Sequence, residues 1–373
     1  MKDLQINFIK KYHFRDYHFM LIIPTVVLTV LGIMVIGSAD QSYQNKQIMG
    51  MVIGIVVMIA VSMIDYKYLL KYYWLMYLFS LLMLLLVMFF GDNSLGATRW
   101  IDLGFVRFQP SELTKLFMIL FLAKFFTEHQ ENLNEKKTLF ITMVLIAIPL
   151  VMILKQPDLS TTIVLFVLCM VLLFLAGVKA KYVKWAFGIG IPGFFLLLFA
   201  IVHDTSHRLI SEYQYLRIMA WLYPNDYPQS AYQQQNSILA IGSGRLFGKG
   251  LYNTSVESVK NGNFISEPQT DFIFAVTGEE LGFAGCCAVI GLLLLISVEC
   301  ILIGMKCRNL SGKLIAYGMG VLISFQSFVN ICVVTGLMPN TGLPLPFVSY
   351  GLTSLVTLYM GIGFVLNVGL QRT

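Results

Sequence analysis

Charge is what this sequence has least of. Asp, Glu, Lys and Arg together make up 12% of its 373 residues, against 57% hydrophobic, and mean hydropathy is +0.75. A soluble domain carries about twice that charged fraction. The composition therefore argues against a soluble globule and for a polytopic membrane protein. The net charge of +6 is no sign of nucleic-acid binding, because in such a chain its meaning lies in which side of the membrane the cations occupy. Cysteine is also sparse. The six, Cys169, Cys286, Cys287, Cys300, Cys307 and Cys332, lie in apolar segments or, for Cys307, in an inner loop. That placement argues against a disulfide framework, and no spacing with histidine fits a zinc site. They read as small apolar packers. Also missing is a clear internal repeat of the kind that marks inverted-repeat transporters.

What is present is a series of long apolar runs, at 19–37, 48–64, 72–90, 111–126, 139–154, 159–178, 183–202, 269–303, 314–338 and 350–369. They predict an all-α fold of ten transmembrane helices, several on the short side of about 20 residues. The first is too long for the core of a signal peptide and reads as an uncleaved helix. The eighth is too long for one straight span, and Gly278, Gly282 and Gly285 offer places to bend. With the N-terminus inside, sixteen Lys and Arg fall on the inner side, and five (Lys46, Arg99, Arg107, Lys115 and Lys155) fall on short outer segments. This asymmetry predicts that both termini are cytoplasmic. The other five cations lie in one long outer loop, about 203–268 between helices seven and eight. The loop has a stretch at 230–241 that predicts a helix and a glycine-rich turn at 242–250, and a structured loop of this size is more often functional than idle.

The chain is organised around 264–283. Ser266 with Gln269 has capping-box spacing, and Pro268 suits a first helical turn, so a helix is expected to begin here with Asp271 one turn inside it. Carboxylates in a membrane helix are costly and are usually kept for a purpose. Asp271 and Glu279 would sit about 12 Å apart along the axis with faces about 80° apart, so both can look into one cavity. That distance is too great for a paired-carboxylate mechanism. Asp271 is thus expected to act alone, with Glu279 in support.

Three more polar clusters fall on the outer side. Arg99-Trp100 is followed by Pro110-Ser111-Glu112, with Lys115 three residues beyond Glu112. A second cluster is Lys155-Gln156-Pro157-Asp158, and a third pairs Arg217 with Trp221. Each has a structural reading: a local Glu112–Lys115 ion pair, Asp158 as a helix cap, Arg217 snorkelling at the interface, Asp271 as an N-terminal acid. Together they place one carboxylate and several cations at one surface. That set suits a reaction on an anionic, lipid-linked substrate, with the carboxylate as general base and cations or a divalent metal at a leaving pyrophosphate.

The same residues carry a resemblance. Arg99-Trp100-Ile101, Gln109-Pro110-Ser111-Glu112, Lys155-Gln156-Pro157-Asp158-Leu159, Ala240-Ile241-Gly242-Ser243-Gly244, Gly248-Lys249-Gly250, Thr270-Asp271-Phe272 with Glu279-Glu280-Leu281-Gly282, and Leu345-Pro346-Phe347-Val348-Ser349-Tyr350-Gly351 occur in this order. Nearly end to end, the chain resembles the SEDS family (shape, elongation, division and sporulation), most of all its RodA branch. It departs at Gly244-Arg245, where relatives often have Gly-Gly, at Asn236, where they often have Gln, and at Gly351-Leu352-Thr353, where they often read Gly-Gly-Ser.

The resemblance implies a single SEDS-type transmembrane domain over 1–373 whose outer loop carries part of the active site. It implies a peptidoglycan glycosyltransferase in the bacterial cytoplasmic membrane, polymerising lipid II (the undecaprenyl-pyrophosphate-linked disaccharide pentapeptide) at the outer face, for elongation by analogy with RodA. The implied partners are a class B penicillin-binding transpeptidase and other elongation-complex membrane proteins, with no nucleic acid. Asp271 falls on the family's essential aspartate. Trp100, Arg99, Glu112, Lys115, Lys155, Asp158, Arg217, Glu279 and Ser349 are the expected binding or supporting residues, with Arg217, Lys115 and Arg99 the candidates for pyrophosphate. Mg or Mn is compatible with the leaving group, but no carboxylate cluster dictates a metal site. Two other readings stand beside this one: a flippase for the lipid-linked precursor, favoured by Glu279 and Glu280, and a non-catalytic scaffold for the transpeptidase.

Overall fold

The computed structural model describes residues 17–91, 99–102, 104, 107–203, 212–253, 264–265 and 267–371. Inside a membrane the backbone must satisfy itself, and the apolar runs do so as helices. These are α1 (Phe19–Ala39), α2 (Gln41–Met63), α3 (Tyr66–Leu69) running through a 3-10 turn into α4 (Tyr73–Phe90), α5 (Pro110–Glu128), α6 (Lys136–Lys155), α7 (Leu159–Leu175), α8 (Ala180–His203), α9 (Glu212–Leu222), α10 (Pro228–Ser243), α11 (Ile273–Lys306), α12 (Leu310–Val334) and α13 (Leu352–Leu370). A two-residue hairpin, β1 (Ile101–Asp102) and β2 (Arg107–Phe108), pairs antiparallel between α4 and α5.

Every expected span falls on a helix. Among the described residues, seven are long and apolar enough to cross a membrane: α1, α2, the α3–α4 run, α6, α11, α12 and α13. α7 is apolar but has only 17 residues. α5 carries Glu112, Lys115, Lys124 and Glu128 and is nonetheless mostly buried. The peripheral α2, α4 and α6 expose large apolar side chains such as Val56, Phe89 and Phe140, as lipid-facing helices do, whereas α12 and α13 are the most enclosed.

α11 explains why a 34-residue apolar segment fits. Unbroken, it would be about 51 Å long, well beyond a hydrocarbon core of about 30 Å. It breaks at Gly282, whose φ of 68° and ψ of −166° suit only glycine. The break frees backbone groups that a helix would pair internally. The glycine-rich turn takes them up: Lys249 N and Gly250 N donate to Glu279 O and Glu280 O (both 2.9 Å), while Phe283 N and Ala284 N donate to Arg245 O and Leu246 O (2.8 and 3.0 Å).

The outer-loop helices are anchored by the same logic. The last carbonyls of a helix lack internal partners. At the end of α12 and just beyond it they are met by Gln234 Nε2 on Val333 O and Met338 O (2.7 Å each), Ser237 Oγ on Val334 O (2.7 Å) and Trp221 Nε1 on Gly336 O (2.9 Å). α9 and α10 are thereby stitched over that end of the bundle. The six cysteines are free, and all but Cys287 are buried.

One local expectation is overturned. α11 starts at Ile273, with Phe272 at its N-cap, so Asp271 lies in the turn before the helix and not one turn inside it. The reason is tertiary. The carbonyls that would open an earlier helix are already engaged: Tyr350 N donates to Gln269 O (2.9 Å), Ser349 Oγ to Thr270 O (2.7 Å) and Asn330 Nδ2 to Asp271 O (2.8 Å). The capping role expected of Ser266 lies outside the described residues, as do 92–98, 204–211 and 254–263 of the outer segments.

Candidate active site

The segment 339–344, just past α12, is where the site is assembled. Pro339 and Pro344 cannot donate, and the backbone between them is held by side chains from three helices. Arg217 Nη1 donates to Asn340 O (3.3 Å), Ser160 Oγ to Thr341 O (2.6 Å), Asn330 Nδ2 to Leu343 O (2.6 Å) and Gln326 Nε2 to Pro344 O (2.9 Å). At the centre is Gly342, with φ of +74°. A β-carbon there would lie 3.3 Å from Asp271 Oδ2 and 3.4 Å from both Arg217 Nη1 and Arg99 Nη1. One carboxylate and two guanidiniums therefore converge on the space above this glycine.

Each is fixed from behind. The turn carrying Asp271 is gripped by Asn330 and Ser349, and Ser349 Oγ also accepts from Leu345 N (2.7 Å). Arg217, on α9, stacks over the Tyr213 ring at 4.3 Å. Arg99 donates to Pro157 O, and its Nε lies 3.9 Å from Asp158 Oδ2. Asp158 in turn caps α7, accepting from Thr161 N (3.1 Å) and Thr161 Oγ1 (2.9 Å). The capping reading of Asp158 and a role in placing Arg99 thus both hold. Asp271 is half-buried. Burial pushes its carboxyl up to about 6, against the pull of Arg217 and Arg99, and Glu267 and Asp158 add to the rise.

The other expected residues divide. Glu112 and Lys115 form a buried ion pair (2.7 Å) in which Lys115 Nζ also donates to Gln326 Oε1 (2.7 Å), and Glu112 accepts from Ser354 Oγ (2.8 Å). Lys115 is 1% exposed, so it faces the bundle interior instead of an incoming anion. The expectation of a pyrophosphate contact there is corrected. The pair instead joins α5 to α12 and α13, and through Gln326 it supports the Pro344 end of segment 339–344, the strap on which the site is built. Glu279, expected to support Asp271 from one cavity, has a partner of its own. It pairs with Lys249 (2.8 Å) on the glycine-rich turn, because the break at Gly282 brings that turn against it. Lys155 is exposed in the last turn of α6, where its charge complements the helix dipole. Trp100 is half-buried beside the hairpin. Trp221 and Arg217 bond to the strap region instead of snorkelling.

Sequence reasoning missed Gly342, Asn330 and Gln326. A signal was present for two of them: Gln326 and Asn330 are four apart in an otherwise apolar helix, hence on one face.

Of the described residues, no three or more His, Cys, Asp or Glu gather in a way that could hold a metal ion. Asp271 is a single carboxylate flanked by two cations, a poor donor set for a divalent ion. The described residues at this site do not fit a protein-held metal.

Residues 12–373 match the family model of FtsW, RodA and SpoVE, described as "Cell cycle protein". The chain is 34% identical over 369 residues to stage V sporulation protein E of Bacillus subtilis, covering 94% of this chain and 96% of that one. It is 32% identical over 367 residues to the peptidoglycan glycosyltransferase MrdB of Escherichia coli, covering 98% and 96%. A solved structure described as a peptidoglycan synthase complex that coordinates polymerization and crosslinking superposes with a TM-score of 0.77 at 27% identity, covering 95% of this chain and 97% of that one.

Proposed function

The chain belongs to the FtsW, RodA and SpoVE family of cell cycle proteins, and from that premise we propose that Asp271 is the general base of its reaction. The protein is a multi-pass membrane protein and a peptidoglycan glycosyltransferase, as its full-length relatives are. In the proposed step the Asp271 carboxylate takes the proton from the 4-hydroxyl of the acceptor sugar. That oxygen bonds to the anomeric carbon of the lipid-linked donor, and the bond from that carbon to the pyrophosphate oxygen breaks. The lipid pyrophosphate leaves with the electron pair, and the linkage inverts to β-1,4.

Arg217 and Arg99 are assigned to the charge on the leaving group. Cations preplaced in a site of restricted water access act where charge develops and need no rearrangement. The observation that carries the reading is the convergence of Asp271, Arg217 and Arg99 on Gly342. Ser160, in the first turn of α7, bonds to the same segment at Thr341 O, and the dipole at that helix end favours an anionic substrate there.

The full assignment is ten spans with both ends in the cytoplasm, the site on the outer face of a bacterial cytoplasmic membrane, and part of it carried by the outer loop 203–268 through Arg217. The partner is a class B penicillin-binding transpeptidase, in keeping with the synthase complex that the chain resembles. The transporter reading has lost its main support, since Glu279 is paired with Lys249 and Glu280 accepts from Ser38 (2.5 Å) at the helix break.

The test is polymerisation of lipid II by the purified chain with its transpeptidase. Asp271→Asn is expected to lower the rate by about 10²–10⁴-fold, the usual cost of losing a general base. Polymer made at the parent rate would remove Asp271 from the chemistry.

A further inference from the structure

Alongside the Asp271 cluster runs a narrow cleft of about 30 Å³, lined by Arg99, Ser160, Tyr213, Arg217, Asn340 and Thr341. In this state it has room for a single water. Two of its side-chain oxygens, Asn340 Oδ1 and Thr341 Oγ1, are buried and have no hydrogen-bond partner among the described residues. Leaving a buried acceptor unpaired is costly, and folds rarely tolerate it without a reason. Local packing gives none here. The main-chain carbonyls of the same two residues are both bonded, Asn340 O to Arg217 Nη1 and Thr341 O to Ser160 Oγ. The strap is thus held by its backbone while its two side-chain oxygens are left over, beside the guanidiniums assigned to pyrophosphate.

We infer that Asn340 and Thr341 form a hydrogen-bond-accepting subsite for the donor sugar bonded directly to the pyrophosphate, reading the N–H of its 2-acetamido group. The inference rests on the glycosyltransferase reading above. The argument is one of adjacency and polarity. A ligand whose diphosphate lies on Arg99 and Arg217 brings the first sugar next to it. The carbon beside that sugar's anomeric centre carries an amide N–H, a donor matched to acceptors in a water-poor cleft. Entry requires α9 to move off the strap. One of the bonds to be given up, Arg217 Nη1 to Asn340 O, is long at 3.3 Å.

The experiment uses two synthetic donors, both capped at the terminal 4-hydroxyl so that each can give but not receive a glycosyl group. One keeps the 2-acetamido group, and the other carries a 2-acetoxy ester that replaces N–H by oxygen with little change of shape. Native lipid II is the acceptor, the single-coupling product is resolved by mass, and kcat/KM is measured for the full chain with its transpeptidase. The parent and Thr341→Ser are expected to prefer the amide donor by about 10–100-fold, the range for a lost buried hydrogen bond. The Asn340→Leu, Thr341→Val double variant is expected to fall on the amide donor to the parent's level on the ester, and to prefer neither. A parent that does not distinguish the donors overturns the inference without any variant being needed. A double variant that couples and still discriminates as the parent does overturns it equally. Asp271→Asn, run beside them, separates the two readings. Its inactivity on both donors upholds the base whatever the donors show, its coupling at the parent rate removes Asp271 from the chemistry without touching the donor preference, and a parent that couples neither donor removes the glycosyltransferase assignment itself.

Discussion

A carboxyl group accepts a proton only when ionised, and burial pushes that of Asp271 up to about 6 in spite of two neighbouring arginines. Below that value the folded chain holds the group protonated, so kcat/KM for polymerisation is expected to fall about tenfold per pH unit on the acid side of about 6 and to level off above it. A profile that stays flat down to pH 5 would take the base role from Asp271. The same shift has a sign for stability. The folded value lies above the unfolded one of about 3.9, so this carboxyl's favourable contribution is complete below pH 3.9 and is lost as pH rises through about 6. At pH 7 the ionised group is a burden on the fold, which is why Asp271→Asn should leave the melting temperature unchanged or raised while activity is lost. Arg245 is a second residue under local strain, at φ +51° in a region that favours glycine.

At the scale of the element, the break in α11 and the turn that fills it are one unit. Four main-chain hydrogen bonds cross between them, and the Lys249–Glu279 ion pair, with Glu279 at 1% exposure, closes the contact. A β-carbon on Gly282 would lie 2.3 Å from Gly248 N and 2.7 Å from the Leu246 carbonyl. Gly282→Ala is therefore expected to cost about 1–3 kcal/mol for the backbone alone, with more for the displaced turn. The check is a lowered melting temperature together with faster proteolysis within 245–253. Parent-like behaviour in both would mean that the break does not depend on glycine. The strap at 339–344 works on the same principle in reverse: its own backbone is irregular, and neighbouring helices supply the partners.

For the whole molecule, the polar groups that matter gather at one end of the bundle. That end is made of the beginnings of α5, α7, α11 and α13 and the finish of α12, covered by α9 and α10. The proposed orientation puts it outside. Lys155→Cys, in an exposed turn at that end, should react with an impermeant thiol reagent added to intact cells, scored against the parent with its native cysteines. Arg308→Cys, in the exposed turn between α11 and α12, should react only after permeabilisation. The reverse pattern would invert the topology and place the site in the cytoplasm.

Much of this was legible in the residues alone. Low charge and ten apolar runs specify membrane helices because a bilayer leaves the backbone no other way to pair. The need for a bend in the eighth segment follows from its length against the bilayer's thickness. Asp271, Arg99 and Arg217 stand out because charge near a membrane is expensive. Tertiary structure alone decided how those charges are used. Lys115 and Glu279 look as available in sequence as Arg217 does, yet both are consumed by partners more than 25 residues away, Gln326 and Lys249. The start of α11 moved past Asp271 because Ser349, Tyr350 and Asn330 reach its carbonyls first. Gly342 has no side chain to announce it, and its importance is the room it leaves for three that do. Sequence pattern reports what a segment prefers by itself. Which of several similar charges is left facing a substrate depends on contacts between distant segments, and those exist only once the helices have packed.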